Sequence, residues 1–393
     1  MQVSNMNKTG IRPSLVVAVF LIVAGLSVLA GLAQLDTAGS TPGWPSYEQM
    51  MANLDQPAAR WRWVLGDMSE VAFYKHEFAS LGLVAGGLLA WWMSQRGSRW
   101  QGFPIAYGSG RWLWVLLSST LGLLLGNLIW GWTLDEGVWQ PTFVAFVSLP
   151  AALVLLHGPG WRICLTGALM GATLVTPASL LLVGYLGVPL GLPAVVGNVM
   201  GMALASLVAF ALCRRWPVLV QTSTLSVTPP EVPRPNPTGW RWGVRRVLAD
   251  FSEAPFYGNE WASAGLISGA LLAWWLNPAS PFYGAGWLPQ LLLGQAGASA
   301  IGVWVWHRQW QEHGWYPTYV PLVSLVPAAI LMHGPAPVVI ALSALLGALL
   351  MPPLAVAIAR RLPAYVHPYV GNVLSMAVGV VCLLPLIGWL VTP

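Results

Sequence analysis

The sequence predicts an all-α polytopic membrane protein with about 11 transmembrane helices, arranged as one N-terminal helix plus a 5+5 inverted-topology repeat. Three observations support this class: the composition, the series of apolar segments and an internal duplication. Apolar residues form 56% of the 393-residue chain and charged residues only 8%, whereas globular chains carry about 25% charged residues. The 24 tryptophans fit the same class, because indole rings favour the boundary between water and hydrocarbon.

Eleven apolar segments are long enough to cross a hydrocarbon core of about 30 Å. The predicted spans are 14–34, 73–94, 112–133, 141–157, 163–186, 190–213, 257–276, 286–306, 317–333, 338–359 and 366–391. The length of the first span favours a retained helix, and a signal peptide cleaved from residues 1–33 is the alternative.

The distribution of lysine and arginine predicts the orientation. With a cytoplasmic N-terminus, 15 of the 18 cations fall on the cytoplasmic side, and Arg60, Arg62 and Lys75 fall outside. Basic residues are retained on the cytoplasmic side during insertion. We therefore expect a multi-pass protein of the inner (plasma) membrane with an external C-terminus, and the sparse cations argue against a nucleic-acid partner.

An internal duplication is the most specific feature of the sequence. Residues 67–92 and 250–275 are identical at 16 of 26 positions, at a constant offset of 183. Further matches pair 147–159 with 323–335 and 196–203 with 370–377. Each copy holds five spans, an odd number, so the copies should begin on opposite sides of the membrane. In architecture alone, this resembles several secondary transporters and the ammonium and urea channels.

The duplication and a proline-rich stretch divide the chain into four predicted units. They are an N-terminal anchor helix with an external segment (1–60), the first repeat (61–216), a Pro-rich cytoplasmic linker (217–239) and the inverted second repeat (240–393).

The repeated acidic segment supplies the first candidate site residues. On a continuous helix from Asp67 to Trp92, side chains at spacings of three, four and three share one face. They are Asp67, Glu70, Tyr74 and Glu77, and in the second copy Asp250, Glu253, Tyr257 and Glu260. A carboxylate at membrane depth is costly unless it faces a cavity or a partner, so Glu77 and Glu260 are candidates for binding a cation or a proton. The alternative is an amphipathic lead-in helix whose acids face water.

Matching interruptions of two helices supply further candidates. Thr173 and Thr176 precede Pro177 in span 163–186, and Pro352 and Pro353 interrupt its counterpart. A proline frees backbone carbonyls that can bind a cation or a polar ligand. The alternative is a kinked helix in close contact with its neighbour.

Asn198 and Asn372 lie in matching small-residue contexts of the two copies. An amide buried in lipid needs a hydrogen-bond partner. Such an amide serves either as a link between helices or as a ligand contact near the middle of the membrane.

Together these patterns predict an ion-coupled secondary transporter of a small polar or cationic solute, with alternating access between the repeats. No cofactor, metal or catalytic residue is expected, and H⁺ or Na⁺ would supply the coupling. The sequence lacks a Walker loop, a nucleophile elbow and a dinucleotide fingerprint, so no enzyme is predicted. The alternatives are a passive channel for a small neutral solute, or a non-catalytic membrane subunit of a larger complex or lipid-handling protein. The expected partners are the lipid bilayer and the solute, with a homo-oligomer or accessory subunits left open.

Overall fold

A computed structural model of the protein describes residues 44–134, 138–221 and 239–391. Within these ranges the chain is helical and forms no strand. The helix predicted at 14–34 lies outside the described residues, as does most of the predicted linker.

Seven helices precede the linker and seven follow it in the described ranges. Those of the first half are α1 (Tyr47–Ala52), α2 (Pro57–Asp67), α3 (Glu77–Gln95), α4 (Trp112–Trp130), α5 (Leu149–His157), α6 (Trp161–Gly187) and α7 (Ala194–Arg215). Those of the second half are α8 (Gly239–Asp250), α9 (Glu260–Leu276), α10 (Leu288–Val305), α11 (His307–His313), α12 (Leu325–His333), α13 (Pro337–Ala359) and α14 (Tyr369–Val391). Six of them, α4, α6, α7, α10, α13 and α14, are long and apolar enough to cross a membrane. The chain is thus built as a helical membrane protein.

The predicted spans 141–157 and 317–333 are wrong as continuous helices. The first contains a 3-10 turn, Thr142–Ala145, and then the nine-residue helix α5. The second contains turns followed by α12, also of nine residues. At 1.5 Å per residue, nine residues cover about 14 Å, which is half of a hydrocarbon core. Prolines at both ends of the first irregular stretch, Pro141 and Pro150, explain the interruption, because they cannot donate a helical hydrogen bond.

The irregular segment nevertheless runs along the length of α4. Near the end of α4, a Cβ built on Gly126 would lie 4.0 Å from the carbonyl oxygen of Thr142. At its start, Arg111 Nη1 donates to the carbonyl oxygen of Leu155 at 2.6 Å. Residues 142–157 therefore run antiparallel to α4, first as irregular backbone and then as helix.

The helices α3 and α9 cross with their backbones in contact. A Cβ built on Gly82 would lie 2.0 Å from the carbonyl oxygen of Gly265, and the reverse distance is also 2.0 Å. Gly86 meets the carbonyl of Trp261 and Gly269 meets that of Phe78 in the same manner. Later residues of α3 thus meet earlier residues of α9, so the two helices are antiparallel. Under the sequence offset of 183, corresponding residues exchange contacts.

The continuous helix predicted from Asp67 through Glu77 is wrong. Helix α2 ends at Asp67 and α3 begins at Glu77. Between them Phe73 and Lys75 have positive φ angles of 68° and 43°, which an α-helix does not contain. Tyr74 and Glu77 therefore do not share a helix face with Asp67 and Glu70.

The second half breaks at the same place. Helix α8 ends at Asp250 and α9 begins at Glu260, and Phe256 and Gly258 have φ angles of 67° and 56°. Asp250 and Glu253 are thereby separated from Tyr257 and Glu260.

Polar N-cap residues begin α3 and α9 after these breaks. His76 Nδ1 accepts the backbone N–H of Phe78 at 3.1 Å. The corresponding Asn259 Oδ1 accepts the N–H of Trp261 at 2.8 Å. A side chain in this position satisfies a backbone donor that the helix leaves free, so the caps fix where each new helix starts.

The Asn259→Ala variant is expected to lower the melting temperature of the purified protein. Loss of the cap costs about 1 kcal/mol, and the amide donors to the carbonyl oxygens of Gln101 and Phe103, at 2.9 and 2.6 Å, are lost as well. Asn259→Ser keeps a capping oxygen and should fall between alanine and the parent. An alanine variant as stable as the parent would contradict this account of the cap.

Candidate functional site

Each helix break holds two buried carboxylates and one buried cation. The first cluster consists of Asp67, Glu70 and Lys75, and the second cluster consists of Asp250, Glu253 and Arg246. All six side chains are at most 5% exposed. Since an unpaired buried charge is very costly, the cation in each cluster is needed to hold the carboxylates there.

In the first cluster, Asp67 is held by several donors. It pairs with Lys75 Nζ, and its Oδ2 accepts from Asn127 Nδ2 at 2.9 Å and from Thr142 Oγ1 at 2.8 Å. These donors satisfy both oxygens of the buried Asp67 carboxylate.

Glu70 has a different environment, which links the two halves of the chain. Its Oε2 accepts from Lys75 Nζ at 2.6 Å. Its Oε1 accepts from Trp139 Nε1 at 2.5 Å and from the hydroxyl of Tyr283 at 3.2 Å. Burial raises the pKa of Glu70 to about 8, against the opposing attraction of Lys75. This carboxyl can thus exchange a proton near neutral pH.

The second cluster repeats this pattern with different chemistry at the cation. Arg246 Nη2 binds Asp250 Oδ1 at 2.9 Å and Glu253 Oε2 at 2.6 Å. Thr318 Oγ1 donates to Asp250 Oδ2 at 2.8 Å, as Thr142 does to Asp67. Trp315 Nε1 donates to Glu253 at 2.6 Å and matches Trp139.

The two clusters receive their cations from different sequence positions. At an offset of 183, Lys75 corresponds to Gly258, and Arg246 corresponds to Trp63. In the first cluster the Lys75 ammonium lies 3.4 Å from the ring centre of Trp63, so both positions border the same site. A Cβ on Gly258 would lie 2.5 Å from Glu253 Oε2. The two copies thus place the cation at different sequence positions but share the arrangement of two carboxylates with one cation.

Glu77 and Glu260, the carboxylates favoured by the sequence, form their own ion pairs. Glu77 Oε1 accepts from Arg62 Nε at 2.5 Å and from Trp44 Nε1 at 2.9 Å. Glu260 Oε1 accepts from Arg245 Nε at 2.7 Å. These ion pairs lie at the N-terminal ends of α3 and α9. Neither glutamate lines the cavity described next.

A cavity of about 540 Å³ lies between the two halves. Most of its lining is apolar, and Glu70 is its one charged lining residue within the described ranges. Corresponding residues of both halves contribute to the wall: Val71 and Ala254, Phe73 and Phe256, Phe143 and Tyr319, Val147 and Val323, Val195 and Tyr369, Val199 and Val373, and Met202 and Met376.

The cavity reaches one cluster and not the other. Glu70, Trp139 and Tyr283 line it, whereas Glu253 and Trp315 do not. It therefore contacts the first cluster, and Glu253 of the second cluster lies outside its lining.

Aromatic side chains form the barrier on the side of the second cluster. The ring of Phe256 lies 5.7 Å from that of Tyr369 and 5.9 Å from that of His367. The hydroxyl of Tyr369 bonds to Ser206 on α7. In the first half, Val195 stands at the position of Tyr369, whereas Phe73 corresponds to Phe256, so the two ends of the cavity differ in size at Tyr369.

The side-chain amides of the two candidate asparagines differ in their hydrogen bonds. Asn372 Nδ2 donates to the hydroxyl of Tyr319 at 3.0 Å. Asn198 lines the cavity and is 5% exposed, and its Oδ1 has no hydrogen-bond partner among the described residues. Phe143, the counterpart of Tyr319, carries no hydroxyl. Asn198 thus has an amide oxygen available to a ligand.

The tyrosine and threonine candidates are placed away from the first cluster's carboxylates. The hydroxyl of Tyr74 donates to Gln295 Oε1 at 2.9 Å, and Tyr257 stacks edge-on against Trp112. Thr173 is exposed and bonds to the carbonyl of its own helix at Leu169. Thr176 is buried and bonds weakly to Gly171 O at 3.4 Å. None of these four side chains lines the cavity.

The proline-containing helices α6 and α13 differ between the two halves. Helix α6 contains π-helical turns at Gly171–Val175 and Val183–Gly187. Helix α13 continues through Pro352 and Pro353, so the predicted break there is wrong.

Sequence reasoning missed the cavity and the residues that complete the first cluster. Trp139, Tyr283 and Asn127 reach Glu70 and Asp67 from distant positions, and no local pattern marks them. A signal was present for Trp139 and Trp315, which recur at the offset of 176 that relates 147–159 to 323–335.

Among residues 44–134, 138–221 and 239–391, no group of three His, Cys, Asp or Glu side chains is arranged to hold a metal ion. The chain matches no model of a known protein family, no curated protein and no solved structure.

Proposed function

We propose that the protein is a secondary transporter of the inner (plasma) membrane that works by alternating access between two inverted halves. The observation that carries this proposal is the cavity, which corresponding residues of both halves line and which reaches Glu70 but not Glu253. A transporter needs two states of similar energy that open to opposite sides, and inverted halves can provide them by exchanging conformations.

Reciprocal contacts support the inverted relationship of the halves. The antiparallel crossing of α3 and α9 at Gly82 and Gly265 joins corresponding residues. The backbone N–H of Ala106 donates to Tyr257 O at 3.0 Å, and that of Phe282 donates to Tyr74 O at 3.0 Å. A pseudo-two-fold axis in the membrane plane generates such exchanged pairs.

The proposed orientation places the N-terminus in the cytoplasm and the first cluster near the external face. Two of the three cations on that face have acidic partners, since Arg62 pairs with Glu77 and Lys75 with Asp67 and Glu70. These two cations on the external face therefore do not contradict the proposed orientation, in which most cations lie on the cytoplasmic side.

In the proposed cycle, this structure is the outward-open state. The inward-open state would exchange the roles of the clusters: the barrier at Phe256 and Tyr369 opens, and Glu253 becomes accessible as Glu70 is now. Proton exchange at these carboxylates, rather than a cofactor, would couple transport to an ion gradient.

Two corresponding positions offer a direct test. Leu192 lines the cavity, whereas its counterpart Val366 is 5% exposed and does not. Single cysteines at these sites, in a chain whose three native cysteines are replaced, are labelled with a membrane-impermeant maleimide in oriented vesicles. We expect fast labelling of Leu192→Cys from outside and slow labelling of Val366→Cys from inside.

The Tyr369→Val variant should then reverse these rates. It gives the barrier the residue found at the corresponding Val195 and removes the bond to Ser206. Alternating access predicts that labelling of Val366→Cys rises several-fold from inside while labelling of Leu192→Cys falls. If the first rises and the second stays unchanged, the pathway is a passive channel and the transporter proposal is wrong.

A further inference from the structure

We propose that the cavity binds an organic monocation with an apolar body, its charged group beside Glu70 and its apolar part against the deeper wall. This inference rests on the proposed function and specifies the class of solute. It depends on the charge, the aromatic rings and the polarity gradient of the cavity.

The charge of the lining selects against anions. Within the described ranges, Glu70 is its only ionisable acid or base other than tyrosine, and no lysine or arginine lines the wall. Behind the wall, Asp67 and Glu70 share the single cation Lys75, so the cluster carries a net negative charge when Glu70 is ionised. In a poorly solvated site this charge attracts a bound cation and repels an anion.

Aromatic rings surround the same end of the cavity. Tyr283 lies edge-on to Tyr47, with ring centres 5.7 Å apart, and edge-on to Phe73 at 6.2 Å. Trp139 donates to Glu70 from a third side, and all four rings line the cavity. Aromatic faces attract cations, most strongly where water is excluded, and aromatic cages recognise quaternary ammonium groups.

The deeper part of the cavity suits an apolar body. Its wall there consists mainly of valine and methionine from α7 and α14, with Met202 and Met376 among them. Methionine adapts to irregular shapes. Asn198 provides one unpartnered amide oxygen in this wall, which can accept from a polar substituent of the solute.

Binding should depend on pH through Glu70. The titratable or charged groups facing it are Asp67 and Lys75 of the same cluster, Tyr47 of α1 and Tyr283 of the 282–284 turn. Burial raises the pKa of both tyrosines, so they stay neutral up to pH 9. As pH rises through about 8, Glu70 loses its proton and attracts a cation more strongly.

Tetraphenylphosphonium, a cation whose charge does not change with pH, is a suitable probe. Saturable binding of the radiolabelled probe to the purified full chain is measured between pH 6 and 9. Competition by benzyltrimethylammonium is compared with that by phenylacetate and by neopentylbenzene, the uncharged isostere. We expect saturable binding that strengthens with pH, and competition by the cation alone.

Glu70→Gln is expected to weaken binding about tenfold at pH 8.5 and to abolish its pH dependence. Glu48→Gln, which removes an exposed acid next to Tyr47 in the chain, is the control and should bind as the parent does. Tyr283→Phe keeps the ring and should retain most of the affinity, whereas Tyr283→Ala should lose it. Melting temperatures identify any variant that fails to fold.

The outcomes separate this inference from the proposed function. Absence of saturable binding, equal binding by Glu70→Gln, or stronger competition by phenylacetate would overturn the cation site, while reciprocal labelling at Leu192 and Val366 would leave alternating access standing. Cation binding without any reciprocal change in labelling would support the site and overturn the transport cycle.

Discussion

Replacing Lys75 with glycine is expected to cause a large loss of stability. The substitution leaves Asp67 and Glu70 buried without the ammonium that joins them. Removing one partner of a buried ion pair costs about 3–5 kcal/mol. We expect a strongly reduced yield of monodisperse protein and a lower melting temperature, both measured in detergent.

The second half of the chain supplies the compensating change. Trp63→Arg combined with Lys75→Gly gives the first cluster the residues of the second, where Arg246 and Gly258 occupy these positions. We expect this double variant to be more stable than Lys75→Gly alone, because a cation again lies between the carboxylates. Trp63→Arg alone adds a second cation and loses the bond from Trp63 Nε1 to Thr142 at 2.8 Å, so it should be less stable than the parent. If the double variant were less stable than both single variants, the two clusters could not be equivalent.

Gly82→Val is expected to disrupt the crossing of α3 and α9. Its Cβ would lie 2.0 Å from the carbonyl oxygen of Gly265, and rigid backbone on both sides cannot move away. Overpacking of this kind costs about 1–3 kcal/mol, and more where backbone must shift. We expect the variant to lose most of its folded yield, measured by size-exclusion chromatography.

Gly184→Ala is the matched control for that experiment. Gly184 lies in the helix α6, where an added Cβ meets no atom within 4 Å. The control should match the parent in yield and melting temperature. Normal folding of Gly82→Val would show that α3 and α9 are not in backbone contact, contrary to the structure.

The sequence predicted those features that depend on composition and on repetition. Among the described residues, apolar length located the six helices that are long and apolar enough to cross a membrane, including Ala194–Arg215 and Tyr369–Val391. The strong match of 67–92 with 250–275 predicted two similar helices, and in the structure α3 and α9 pack against each other. Such features are encoded locally, by hydrophobicity and by spacing.

The sequence did not predict features that arise from distant contacts. The acidic segment has the spacing of a helix face, but the helix is broken between Asp67 and Glu77. Lys75 lies in this break and binds both Asp67 and Glu70. His76 then caps the helix that follows. The spacing of the acidic residues does not predict this break, because an ion pair and a helix cap outweigh helical propensity there. Comparing Lys75 with Gly258 and Trp63 with Arg246 would have revealed the exchanged cation.

Local sequence patterns did not predict the cavity either. Glu77 was favoured over Glu70 because it lies deeper in the apolar sequence, but Arg62 neutralises it. Glu70 faces the cavity because Tyr283 and Trp139 approach it from elsewhere in the chain. Burial and access depend on the three-dimensional neighbours of a carboxylate.

Side-specific labelling of Ala58 and Arg241 tests the inverted arrangement most directly. These exposed residues correspond at the offset of 183 and lie near the starts of α2 and α8. Single cysteines there, in the chain without native cysteines, are treated with an impermeant maleimide in sealed right-side-out and inside-out vesicles. We expect Ala58→Cys to react only from the external side and Arg241→Cys only from the cytoplasmic side. Reaction of both from one side would contradict the inversion of the two halves.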